Sequence, residues 1–196
     1  MCNNMTIRCF IAIELDEGIR GELGRLQDRL RRRLQLNDKA VKWVRPENVH
    51  LTLKFLGDVE DRLVPDICSV VSEAAEEIAP FTFEVADCGC FPRNGAARVL
   101  WVGVKQGRED LLQLQEMVEL YLADIGFPPE ERRFSAHLTL GRIKNAEAGR
   151  LVHNVVAEVE PIRLGCRDVS EITVFQSELT QSGPIYTALH HGKLGK

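Results

Sequence analysis

The tetrapeptide His-Leu-Thr-Leu occurs twice in the chain, at residues 50–53 and again at 137–140. A helix-forming stretch precedes each copy, so the repeat points to a fold built from two related halves. Side chains alternate between the two faces of a β-strand. On that rule His50 and Thr52 share one face with Lys54, and Leu51, Leu53 and Phe55 share the other. His137 and Thr139 likewise oppose Leu138 and Leu140. Each copy then offers an imidazole and a hydroxyl to a cleft while its leucines anchor in a core.

The surrounding patterns give the class. Residues 8–14 (Arg-Cys-Phe-Ile-Ala-Ile-Glu) form a buried apolar strand. Asp16 is an N-cap for a helix reaching about Leu36, with Ile19, Leu23, Leu26 and Leu30 at helical spacing. A short strand at 41–44 and the turn Arg45-Pro46-Glu47-Asn48 lead into the first repeat strand, expected from Val49 to about Phe55. A helix over 61–79, strands over 81–88 and 98–104, a helix over 109–125, the second repeat strand over 136–142 and a helix over 147–156 follow. Strands are expected at 161–165, 169–176 and 186–190. Consecutive strands recur, so the order predicts an α+β chain with mostly antiparallel sheets and helices packed outside. With the repeat, it predicts a single bilobal, pseudo-duplicated domain over residues 1–196, with a central cleft.

Charge and cysteine usage narrow the setting. The net charge of −4 argues against a protein that coats nucleic acid nonspecifically. Six cysteines (Cys2, Cys9, Cys68, Cys88, Cys90 and Cys166) include no CxxC pair. With a polar N-terminus and no apolar run long enough for a bilayer, they read as reduced thiols of a cytoplasmic protein. Cys88 and Cys90 with a histidine make a zinc site only on a weak spacing signal.

The repeat itself carries chemistry. In attack on a phosphodiester, one group takes a proton from the nucleophile and another gives one to the leaving oxygen. Histidine does both near neutral pH. Thr52 and Thr139 are placed as hydroxyl donors to phosphoryl oxygens. A lone strand histidine is usually a packed core residue; two in identical settings are not explained that way. Two imidazoles without a third ligand make a poor metal site, so neither metal nor cofactor is expected.

The chain resembles the two-histidine phosphoesterase superfamily, in particular its 2′-5′ RNA ligase branch of RNA 2′,3′-cyclic phosphodiesterases. The resemblance runs through residues 8–13, Trp43-Val44, 48–57, 98–103, 134–142, Ser177-Glu-Leu and residues 183–186 (Gly-Pro-Ile-Tyr). It implies hydrolysis of a 2′,3′-cyclic phosphate at an RNA end, or of a small cyclic nucleotide, to a 2′-phosphomonoester, with a capacity for 2′-5′ ligation. It implies His50 as proton donor and His137 as proton acceptor, although the two settings are equivalent in sequence. Arg142 matches a phosphate-binding arginine, but strict alternation puts it on the wrong face unless the strand bulges near Gly141. Ala136 departs from the proline common at that position.

Lys54 is a further candidate for phosphate, with a solvated or salt-bridged side chain as the alternative. Phe10, Trp43 and Phe134 are candidates to stack on a base, with core packing as the alternative for each. Arg45, Arg93, Arg98, Arg132 and Arg133 could line an RNA path. The partner expected is RNA or a cyclic nucleotide, with no membrane, and the protein is expected to be a monomer. Two other functions fit the motifs: a nucleotide-end binding module that has lost turnover, and a related enzyme acting on small cyclic phosphates or 2′-5′ oligonucleotides.

Overall fold

The computed structural model describes residues 5–181 and 183–195; Cys2 lies outside them. The elements, in chain order, are β1 (Thr6–Ile13), α1 (Glu17–Leu34), β2 (Val41–Trp43), β3 (Leu51–Glu60), α2 (Val64–Glu76), β4 (Phe81–Phe91) and β5 (Val99–Val104). They continue with α3 (Arg108–Asp124), β6 (His137–Ile143), α4 (Ala146–Ala157), β7 (Arg163–Val169), β8 (Glu171–Thr180) and β9 (Gly183–Lys193). The fold is α+β, as the element order predicts.

Local signals set the helix starts. The Asp16 carboxylate accepts from the Ile19 amide at 2.8 Å, and Asn145 Oδ1 accepts from the Ala148 amide at 2.9 Å. Each cap satisfies a donor that the first turn leaves free, which is worth about 1 kcal/mol. Ile19, Leu23, Leu26 and Leu30 of α1 are buried at the predicted spacing.

The strands form one continuous sheet, in the order β7-β4-β5-β6-β3-β1-β8-β9, with β2 added on β6; every pairing is antiparallel. The antiparallel pairing expected from sequence runs through both halves as a single sheet. The order is symmetric about the β6–β3 junction, where Leu51 pairs with Leu138. That single bridge joins the two repeat strands at equivalent residues. A pseudo-twofold axis passes between them, relating β1 to β5, β8 to β4 and β9 to β7. One sheet face carries Ile11, Ile13, Leu51 and Leu138 and buries them against Leu23, Val71, Leu111 and Val152 of the four helices. The opposite face is the cleft floor, with a separate small cluster of Phe10, Ala12 and Phe175.

Both repeat strands bulge at the same point. In β3, Thr52 pairs with Ala12 and Lys54 with Ile11, so Leu53 is the extra residue. In β6, Thr139 pairs with Trp101 and Gly141 with Leu100, so Leu140 is the extra residue. A bulge reverses the face taken by every later side chain. Two expectations fail for this reason. Lys54 leaves the His50 face and is buried at 4% exposure, and Phe55 leaves the core for the cleft face at 55% exposure. The first repeat strand also runs on to Glu60, past the expected end near Phe55.

Gly149 on α4 lets that helix approach the chain between β4 and β5. The Gly149 carbonyl accepts from the Ala97 amide at 3.1 Å, and a Cβ at Gly149 would stand 2.5 Å from the Ala97 carbonyl oxygen. Glycine to alanine in an open helix is usually stabilising by about 1 kcal/mol. Here Gly149→Ala is expected to reverse that sign and destabilise by about 1–3 kcal/mol, read from a lowered urea midpoint. A raised midpoint would show that the contact yields freely.

Candidate active site

The bridge between Leu51 and Leu138 sets the geometry of the motif residues. Carrying that antiparallel register one residue each way puts His50 across from Thr139 and Thr52 across from His137. Directly opposed Cβ atoms on such a pair lie ~4.5–5.5 Å apart and diagonal neighbours ~7–8 Å. The two imidazoles thus sit on one diagonal of a square and the two hydroxyls on the other.

Each imidazole is held in the same way. His50 Nδ1 lies 3.0 Å from the Asn48 carbonyl oxygen and His137 Nδ1 2.7 Å from the Ser135 carbonyl oxygen, two residues upstream in both cases. A carbonyl only accepts, so Nδ1 carries the proton and Nε2 is the nitrogen left for chemistry. The Asn48 side chain also donates to the Pro184 carbonyl at 3.2 Å, which ties the start of β9 to the first motif.

The surroundings differ. The His50 ring stacks on Phe10 at 4.6 Å, meets Tyr186 edge-on at 5.2 Å and faces Phe175 at 6.4 Å. The His137 ring meets Phe91 edge-on at 5.3 Å. Burial in this aromatic box pushes the His50 imidazole down to about 4, assisted by the positive charge of Arg20. Burial also lowers His137, with a smaller contribution from Arg142.

The His50 shift has a stability consequence. Its pKa is lower folded than unfolded, so the unfolded chain binds the extra proton first. Stability from this group is full above pH 6.5 and is lost as pH falls to about 4, by roughly 3 kcal/mol in all. His50→Gln should flatten the stability–pH curve between those limits, measured by urea unfolding at pH 4.5 and 7. An unchanged curve would place the His50 titration elsewhere.

The bulge at Leu140 returns Arg142 to the face of His137 and Thr139, the condition its phosphate role required. The Arg142 charge favours the neutral imidazole of His137 and the ionised phenol of Tyr186. Other candidates fall elsewhere. Lys54 points into the core, where its ammonium pairs with Glu119 and donates to the Pro128 carbonyl at 2.8 Å. Its charge is neutralised by Glu119. Trp43 shares the helix-side face with Val41, and the Arg31 guanidinium lies 5.0 Å over its ring; it is not in the cleft. Phe10 is 2% exposed and committed to His50, so no base reaches it. Phe134 lines the cleft.

Several cleft residues escape a strict-alternation reading. Phe55 takes the position equivalent to Arg142 through the matching bulge. Lys42 pairs with Arg142 across β2 and β6 and so shares its face. Phe91, expected in a loop, ends β4. Phe175 and Tyr186 reach His50 from the last two strands of the chain. Lys54 and Gly141 follow the motifs at equivalent positions, but a lysine and a glycine suit the cleft face that strict alternation assigns, so the strands' own sequences carry no signal for the bulges.

The weak zinc grouping does not form: Cys90 Sγ lies 3.5 Å from His153 Nδ1 without a third ligand, and no group of three metal-binding side chains gathers among the described residues.

A continuous antiparallel sheet, a pseudo-twofold axis and paired His-x-Thr motifs on the central strands define a two-histidine phosphoesterase scaffold. The LigT-like phosphoesterase family model matches the chain twice, over residues 13–101 and 102–186. The chain belongs to that family. It is 38% identical over 183 residues to the RNA 2′,3′-cyclic phosphodiesterase of Methanothermobacter thermautotrophicus, covering 93% of this chain and 96% of that one. It is 30% identical to the protein of the same name from Aquifex aeolicus, covering 96% and 98%. Among solved structures, the Thermus thermophilus protein TT0787 superposes with a TM-score of 0.80 at 28% identity, covering 97% of this chain and all of that one. E. coli LigT in complex with 3′-AMP superposes with a TM-score of 0.75 at 26% identity, covering 98% of this chain and all of that one.

Proposed function

We propose that the chain hydrolyses 2′,3′-cyclic phosphate ends of RNA to 2′-phosphomonoesters by two-histidine acid–base catalysis. The observation that carries this is the square of two imidazoles and two hydroxyls about the pseudo-twofold axis, each imidazole with Nδ1 held and Nε2 free. The names of the full-length relatives support the substrate class.

In the proposed reaction a water attacks phosphorus and the 3′-oxygen leaves. His137 Nε2 takes the water proton. His50, protonated at Nε2, gives a proton to the 3′-oxygen, so the ring opens to a 2′-phosphate and a 3′-hydroxyl. Thr52 and Thr139 donate to the non-bridging oxygens, and Arg142 neutralises charge on the phosphoryl group. Burial in the His50 aromatic box disfavours the proton that this role requires. The bound phosphate anion, opposite in charge, restores it. If the 5′-hydroxyl of a second strand takes the place of water, the same groups join the two ends through a 2′-5′ linkage.

The proposal extends to the setting. No helix among the described residues is long and apolar enough to cross a membrane, and Cys9, Cys68, Cys88, Cys90 and Cys166 are all free thiols. Both are compatible with a cytoplasmic protein working as one two-lobed, monomeric unit. The test is incubation with a 2′,3′-cyclic nucleotide in the presence of chelator, with the product resolved by chromatography. A 2′-phosphate is expected. A 3′-phosphate, or no product, overturns the reading.

A further inference from the structure

Beyond the motif residues the cleft opens into a cavity of about 1300 Å³. That exceeds the ~300–1,000 Å³ typical of a small-molecule site, and one cyclic nucleotide leaves much of it unused. Thr52, Phe91 and His137 lie on its lining, and so do Arg98, Arg132, Arg133 and Lys144. Against these four exposed cations, and Lys54, which Glu119 neutralises, the lining carries one carboxylate, Glu130. Among the described residues no carboxylate lies within ion-pair distance of Arg98, Arg132 or Arg133, and the Lys144 ammonium donates only to the Asp38 carbonyl. In a chain of net charge −4, unpaired cations gathered in one concavity form a local anion-attracting field.

The supports under these cations are firm. The Lys54–Glu119 pair holds the loop ahead of β6 at two points, through the Pro128 carbonyl and the Glu130 amide. Arg132 and Arg133 follow directly. Arg98 is held on both sides: its amide donates to the Phe91 carbonyl and its own carbonyl accepts from the Ile143 amide. Phe134 stands beside the two loop arginines on the cavity lining. On the other side of the site Phe10, Phe175 and Tyr186 close around His50.

We propose that this cavity binds the single-stranded RNA segment 5′ to the cyclic phosphate, with backbone phosphates on Arg98, Arg132, Arg133 and Lys144 and one base on Phe134. The inference rests on the proposed hydrolysis for the position of the chain end. A terminal nucleotide connects to the rest of the RNA through its 5′-oxygen, away from the cyclic phosphate. The RNA must therefore leave the site on one side, and the cavity with its unpaired cations lies on the His137 side, away from the rings packed around His50. Cations beside an aromatic ring suit an unpaired strand, because a base can stack only when it is free of its complement.

The test compares kcat/KM on a hexaribonucleotide ending in a 2′,3′-cyclic phosphate with that on a 2′,3′-cyclic mononucleotide. The oligonucleotide should be preferred. With four phosphate contacts, each contributing ~0.7 to the salt slope, the preference should fall about 50-fold between 50 and 200 mM salt. An Arg132→Ala/Arg133→Ala variant should halve that slope and leave the mononucleotide rate unchanged. Phe134→Ala should cost the oligonucleotide roughly fivefold or more. Equal losses on both substrates, or a preference indifferent to salt, overturn the inference while leaving the hydrolysis standing. If the wild-type protein turns over neither substrate, the hydrolysis reading fails, and fluorescence anisotropy with labelled RNA decides the inference separately. There the double variant should weaken binding at least about tenfold. Unchanged binding, or equal affinity for a duplex, overturns it.

Discussion

Replacing His137 with Ala is expected to lower kcat by ~10²–10⁴-fold, and replacing His50 with Ala by a similar factor, since each removes one positioned proton transfer. Neither change should unfold the chain. Both imidazoles bond only a local carbonyl, and the leucines that anchor the strands, Leu51 and Leu138, are untouched. Far-UV circular dichroism on both variants separates lost chemistry from lost fold. A variant that keeps near-normal turnover would show its histidine to be structural. The pH dependence provides a second check. Turnover needs one imidazole neutral and the other protonated, and burial lowers both below 6.5 in the free protein. kcat/KM should therefore peak on the acid side of pH 6.5 and fall about tenfold per unit well above the higher pKa. A profile level from pH 5 to 8 would contradict a pair of imidazoles.

Glu119→Ala is expected to be the most destabilising single change outside the apolar core. The Lys54 ammonium is buried and has two oxygen partners, Glu119 and the Pro128 carbonyl. Glu119 also accepts from Gln115 Nε2 at 2.9 Å and from the Glu130 amide at 3.3 Å. Removing the carboxylate leaves a buried cation without its counter-ion and strands two donors, at ~3–5 kcal/mol. For a chain of this size that is about 10 °C in Tm, measured by calorimetry. The double replacement Lys54→Met/Glu119→Leu removes both charges and should recover much of the loss, because apolar groups of similar volume replace a buried ion pair at little cost. If the single change is as mild as a surface substitution, water reaches Lys54 and the site is not closed. The same pair fastens the loop that carries Ser135, so the Glu119 variant should also loosen the hold on His137.

How far the molecule can be read from its sequence differs between elements for physical reasons. Helix starts at Asp16 and Asn145, the α+β class and the face of the first three residues of each motif follow from local rules, because capping and alternation act over a few residues. The positions after the motifs do not. Alternation assigned Lys54 to the cleft and Phe55 to the core, and a one-residue bulge exchanged them. The same bulge in β6 brought Arg142 to the face of His137 and Thr139. Bulges depend on the partner strand, here β1 and β5, and a partner's register is not written in the strand's own sequence. The sequence left Trp43 between base stacking and core packing, and only the position of α1 shows that its ring meets Arg31 and not a base.

The repeat by itself determined the chemistry on offer: two imidazole–hydroxyl pairs, each backed by leucines, on strands in equivalent settings. Residue identity and a period of two are enough for that. Only the tertiary structure decided how the pairs meet and how they differ. The bridge from Leu51 to Leu138 crosses the two motifs into one square, and strands β1, β8 and β9 enclose His50 in aromatic rings that His137 lacks. Those contacts join Phe10, near the start of the chain, to Phe175 and Tyr186 near its end. Their energies arise from burial and register, which no local pattern encodes.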